Sequence, residues 1–98
     1  MNVFKTNPGL EEEHLISEEN FTKFTGRKEP YIERTENGDK YYAVCPECDN
    51  PIIIVGMFYT LKPYGRHHKG SIRGLAEYNE KDYLNCSYSM TGWKRRKK

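Results

Sequence analysis

The sequence predicts a small α+β domain: a β-hairpin and a third strand, flanked by short helices. Three observations point there. Asn37-Gly38, a strong two-residue turn signal, lies between the runs "YIERT" and "KYYAV". "IIIV", Ile52 to Val55, is a β-branched run of strand length. Two further stretches, "SEENFTKFTG" and "YNEKDYLNC", carry helix-capping residues.

In chain order, Asn7-Pro8-Gly9 is a turn signal that marks the first nine residues as a flexible arm. Ser17 then offers an N-cap, and Glu18 and Glu19 suit the positive end of a helix. Phe21 and Phe24 share a face, and Gly26 closes the C-terminus. Glu11 to Ile16 carries no signal that decides whether it joins this helix. Pro30 ends the helical tendency, and the hairpin turns through Glu36-Asn37-Gly38-Asp39 and runs directly into Cys45. Strand alternation around the hairpin nominates Tyr31, Ile32, Tyr42, Val44, Ile53, Val55 and Phe58 as the core. "LKPYGRHHKGSIRG", with three glycines, a proline and interspersed basic residues, reads as a loop. Asn79, with Asp82 three residues on, starts a second helix whose last turn carries Cys86.

A chain of 98 residues forms one thin-cored domain, here residues 1–93 followed by the basic run Lys94 to Lys98. Hydrophobic residues are only 36% and charged residues 31%, yet eight Tyr, four Phe and one Trp supply bulky surface for a compact fold. Of the 16 basic residues five lie in the tail, which leaves 11 against 14 acidic side chains in residues 1–93, a body charge of 3 minus. The near-neutral total hides an acidic body with a basic tail. No apolar window approaches the length of a membrane span, and Met1 to Leu10 has no apolar run of the kind a signal peptide needs. A cytoplasmic monomer with no membrane partner is the expectation.

Such a thin core benefits from a staple, and the cysteines supply one. "CPECDNP" places two thiols two residues apart beside Pro46 and Pro51, a tight turn that puts both sulfurs on one side. Eighteen residues separate Cys48 from His67, and eighteen separate His67 from Cys86, with His68 beside it as an alternative donor. Cys45, Cys48, His67 and Cys86 thus make a Cys3His set that would tie three segments around a structural zinc ion, giving a zinc-ribbon-like domain. Thiolate and imidazole suit zinc; calcium and magnesium want clustered oxygens, and a rubredoxin-like iron centre needs four thiolates where the chain has three.

Blander readings stand beside this one. A redox Cys-x-x-Cys opens a helix after a strand, whereas here Pro51 and an isoleucine run follow. An isolated cysteine such as Cys86 is commonly just buried. Histidines in a basic loop are commonly just solvated, and His14 is a third candidate donor. Four protein donors close the coordination sphere, and no His-x-Glu or His-Glu-x-x-His arrangement supports a hydrolase using Glu47 or Glu77.

The stretch "CPECDNPIIIVGMF", followed by "KPYGRHHKGSIRGLAEYNEKDYLNCSY", resembles a family of small bacterial proteins carried on mobile elements. Its pattern is CPxC, an Ile/Val run, PYGxH, AxYN and a tyrosine shortly before a final Cys. The match runs from Cys45 to Tyr88 and carries PYGxH onto Pro63, Tyr64, Gly65 and His67, which favours His67 over His68. A weaker resemblance extends to small zinc-containing anti-CRISPR proteins of phages and mobile elements, which inhibit type II RNA-guided nucleases. It implies a stoichiometric inhibitor without catalysis that uses a zinc-stapled scaffold to bind a CRISPR effector nuclease in the bacterial host cell.

Two function classes follow. An inhibitor would present an acidic surface, Glu11 to Glu13 with Glu18 and Glu19, supported by Asp39, Glu47 and Asp49, to a positively charged nuclease channel. Alternatively, a nucleic-acid-binding zinc module would use Lys62, Arg66, Lys69 and Arg73 interleaved with Tyr59, Tyr64 and Trp93, plus phosphate contacts from the tail. Acidic runs and terminal basic runs are both commonly no more than solvated faces.

Overall fold

The computed structural model describes residues 1–57 and 62–88. Its centre is a four-stranded antiparallel sheet in the order β3-β4-β5-β6, formed by β3 (Ile32–Thr35), β4 (Gly38–Val44), β5 (Pro51–Val55) and β6 (Tyr64–His67). A second pair, β1 (Val3–Phe4) with β2 (His14–Leu15), and helices α1 (Glu18–Thr25) and α2 (Glu80–Leu84) complete the α+β fold. Among the described residues, no helix is long and apolar enough to cross a membrane.

Helix α1 forms where its caps place it. Ser17 accepts the Asn20 N–H at 3.1 Å, and Gly26 takes the left-handed φ of 71° that lets its N–H close on the Thr22 carbonyl. The hairpin also forms, with its turn one residue earlier than the Asn-Gly centre: Thr35 pairs with Gly38, so Glu36-Asn37 make the loop. Helix α2 begins at Asn79, which accepts the Asp82 N–H at 2.9 Å, and it ends before Cys86 rather than carrying it.

Three further expectations are corrected. Residues 1–9 do not form a free arm: Phe4 is fully buried, and Lys5 exchanges both backbone hydrogen bonds with Val44 at the end of β4. The Gly-rich stretch is not all loop, since Tyr64 to His67 pair along the whole of Val55 to Ile52. Gly65 is needed in that strand, because a Cβ there would lie 2.9 Å from the Ile52 Cδ1 and 3.2 Å from both the Ile16 Cδ1 and the Met1 Cγ.

The third correction concerns the core. Tyr42 and Val44 are buried, but with Leu75 and Ala76 they form the smaller cluster, against which Tyr31 and Ile53 are partly buried. Ile32 and Val55 are half-buried, and Phe58 lies outside the described residues. The larger core is on the other sheet face, where Ala43, Cys45, Ile52 and Ile54 pack against Phe4, Ile16, Phe21, Met57 and Cys86. A strand covered on both faces has no polar side to set its phase.

Candidate metal centre

Cys45 ends the β4 run, and the chain then reverses in a tight knuckle. The Cys45 N–H donates to the Asn50 carbonyl at 2.8 Å, the Asp49 N–H donates to the Cys45 carbonyl at 3.1 Å, and Asp49 adopts a φ of 61°. Both thiols therefore face the same side. Strand β6 brings His67 to them through its pairing with Ile52, and Cys86 arrives just past α2, its N–H held by the Tyr83 carbonyl.

The donor atoms of Cys45, Cys48, His67 and Cys86 all lie within 4.8 Å of one another. The Cys45 and Cys86 sulfurs are 3.6 Å apart, and the Cys48 sulfur is 3.4 Å from His67 Nε2. Around a tetrahedral ion with sulfur at ~2.3 Å and nitrogen at ~2.0 Å, the edges are ~3.8 Å between sulfurs and ~3.5 Å from sulfur to nitrogen. The donor set fits such an ion. All three cysteines are free, and the sulfur separation is far beyond a disulfide bond.

The three thiols are held in different protonation environments. A hydrogen bond from Cys45 pulls the Cys48 thiol down to about 4, with His67 and Asn50 assisting against burial. The Cys45 thiol is pushed up by that same hydrogen bond and by burial, and the Cys86 thiol is pushed up to about 12, mainly by burial. Only one of the three sulfurs is a ready thiolate without a metal. A divalent ion would displace the protons on the other two, so its affinity falls as pH falls.

The three histidines separate cleanly. His68, adjacent in the chain, turns to the opposite side of the sheet: its ring meets Tyr42 edge-on at 5.4 Å, and Nδ1 lies 3.0 Å from the Gly70 carbonyl oxygen. His14 stacks on Phe24 with ring centroids 3.6 Å apart. Only His67 reaches the sulfurs, and Tyr83 supports its ring edge-on at 4.9 Å.

One residue that sequence reasoning missed organises the surroundings. Asn50, 1% exposed, donates through Nδ2 to the Cys48 sulfur at 3.3 Å and to the Asn79 carbonyl at 3.0 Å, while its Oδ1 accepts the Asn79 N–H at 2.6 Å. It links the knuckle to the start of α2. The signal was an amide two residues after the second cysteine of the Cys-x-x-Cys knuckle, where outer hydrogen-bond donors commonly brace metal ligands. Glu47 braces the far end, accepting hydrogen bonds from both the backbone N–H and the hydroxyl of Ser87.

Several of the acidic residues are engaged in ion pairs. Asp49 pairs with the buried Lys5, Glu18 with Arg27 and Asp39 with Arg34, whereas Glu11, Glu13 and Glu19 are exposed. Tyr59, Trp93 and Lys94 to Lys98 lie outside the described residues.

Together the fold and the donor set define a small α+β protein with a Cys3His group positioned for metal binding. No family model, curated protein or solved structure matches the chain.

Proposed function

We propose that the chain is a zinc-stapled, non-enzymatic binding protein of a phage or mobile element. It inhibits a type II CRISPR RNA-guided nuclease by binding it and blocking the loading of target DNA in the bacterial cytoplasm. The observation that carries the zinc reading is the convergence of three sulfurs and one imidazole nitrogen within 4.8 Å. Soft and borderline donors at tetrahedral spacing suit zinc, and four protein donors leave no vertex for a reactive water, which supports a structural role. The partner class rests on the likeness of CPxC, PYGxH and AxYN to mobile-element proteins. The exposed Glu11, Glu13 and Glu19 offer charge complementary to a nucleic-acid channel.

The test is a DNA-cleavage assay with a type II nuclease and its guide, titrated with the zinc-loaded full chain. Inhibition that saturates near equimolar protein and disappears in Cys45→Ser supports the reading. Undiminished cleavage in the presence of zinc-loaded, folded protein contradicts it.

A further inference from the structure

Strand β6 has a second face. His67 turns toward the three sulfurs and Gly65 toward the larger core, so Tyr64 and Arg66 project from the opposite side of the sheet. The register sets Tyr64 across from Val55 and Arg66 across from Ile53, and Ile53 across from Tyr42, which places Lys40 on this face also. Because β6 is the edge strand, a groove of about 630 Å³ runs over it and takes in both faces: Lys40, Tyr64 and Arg66 line it from this side, and His67 with Tyr83, whose rings meet edge-on, from the other, with Lys69 and Tyr88 adding to its walls.

Three features give this groove a chemical preference. Lys40, Arg66 and Lys69 are exposed, and the Lys and Arg ion pairs of the described residues use other cations: Lys5, Arg27 and Arg34. No carboxylate lines the groove among the described residues. The acid facing Lys40 by register, Glu33, already accepts the Tyr42 hydroxyl at 2.8 Å. Finally, two aromatic rings stand open beside these charges, Tyr64 at 47% and Tyr88 at 42% exposure, and Lys69 Nζ sits 5.1 Å from the centre of the Tyr83 ring.

Cations interleaved with open aromatic faces are what a single nucleic-acid strand requires, the charges for phosphates and the rings for unstacked bases. A duplex hides its base faces and would leave the tyrosines unused. An acidic peptide would match the charges but make no comparable use of the rings. We propose that this groove is a binding site for single-stranded nucleic acid, with Lys40 and Arg66 on phosphates and Tyr64 stacking a base. The site goes beyond the inhibitor reading and does not depend on it, because binding is measured without any nuclease.

The experiment is fluorescence anisotropy of labelled single-stranded DNA and RNA of about 12 nucleotides, within the usual site size of ~4–16, titrated with the zinc-loaded full chain. Binding should weaken with salt at a logarithmic slope of about −1.4 to −2, as two or three phosphate contacts imply at ~0.7 each. Tyr64→Ala should weaken it about tenfold and Tyr64→Phe little, in keeping with loss of one stacked base. Lys40→Glu with Arg66→Glu should weaken it more and flatten the salt slope. Zinc content reports that each variant is folded.

Truncation after Gly92 should leave the Tyr64 and Arg66 dependence in place. The proposal is overturned by any of three results: no anisotropy change with the zinc-loaded wild type at low salt; loss of binding on truncation while the groove variants bind as wild type; or displacement by a poly-glutamate peptide as effective as displacement by unlabelled oligonucleotide.

Discussion

The two ends of the sheet are held by different means. On the amino-terminal side, Phe4 and Phe21 are fully buried with ring centroids 6.2 Å apart, Tyr41 meets Phe21 edge-on, and α1 is capped at both ends. On the carboxyl-terminal side, α2 is five residues long and Tyr83 is its buried residue. A helix that short has little stability of its own. Its position depends on Asn50 holding Asn79 at one end and on Cys86 entering the Cys3His group at the other. Apolar burial organises one half, and polar donors organise the other. Cys45 and Cys86 belong both to the larger apolar core and to the donor set, so the two halves meet at these sulfurs.

This contrast sharpens into substitutions that should separate the halves. Phe21→Ala should lower unfolding stability by about 3–5 kcal/mol, the usual loss for a buried phenylalanine, while zinc content of the protein that remains folded is unchanged. Denaturant unfolding with metal analysis measures both. Asn50→Ala should act in the opposite sense, lowering metal affinity by about 10–100-fold through loss of the donor to the Cys48 sulfur. Competition against a chromophoric chelator reads that change. The smallest effect is expected at Ser17→Ala, about 1 kcal/mol from one lost helix cap, with metal affinity unaltered. If Ser17→Ala or Phe21→Ala lowered zinc affinity as much as Asn50→Ala, the division between the halves would fail.

What was legible in the sequence follows the same division between local and distant causes. The caps of α1 and the start of α2 are set by residues within four positions of each other, and Ser17, Gly26 and Asn79 act as their chemistry predicts. The knuckle is local as well, and the three cysteines were readable from their spacing, whereas spacing alone left His67 and His68 as alternatives for the fourth donor. Distant contacts were not readable. Phe4 lies in a two-residue strand with no periodicity, and its burial comes from Phe21 and His14, both brought to it by the fold.

Gly65 signals a loop by its chemistry, yet here it admits Ile52, Ile16 and Met1 to close approach. Taking that segment as a loop also hid the simplest argument for the fourth donor. Adjacent strand residues point to opposite faces, so only one of His67 and His68 is able to reach the sulfurs. Likewise Ile52 and Ile54, rather than Ile53 and Val55, face the larger core, a choice that an unbroken isoleucine run does not encode.

The most direct measurement is native mass spectrometry of the full chain and of Cys86→Ala, paired with amide hydrogen exchange before and after chelation. The account predicts one zinc ion per wild-type chain and none stably held by the variant. Apparent binding energies of structural zinc, ~10–16 kcal/mol, rival the entire stability of a small domain. Chelation should therefore abolish protection, first at Tyr64–His67 and Glu80–Leu84 and last in α1. A wild-type chain that carries no zinc, or one whose protection is unchanged when its zinc is stripped, would contradict the claim that the Cys3His group holds the carboxyl-terminal half together.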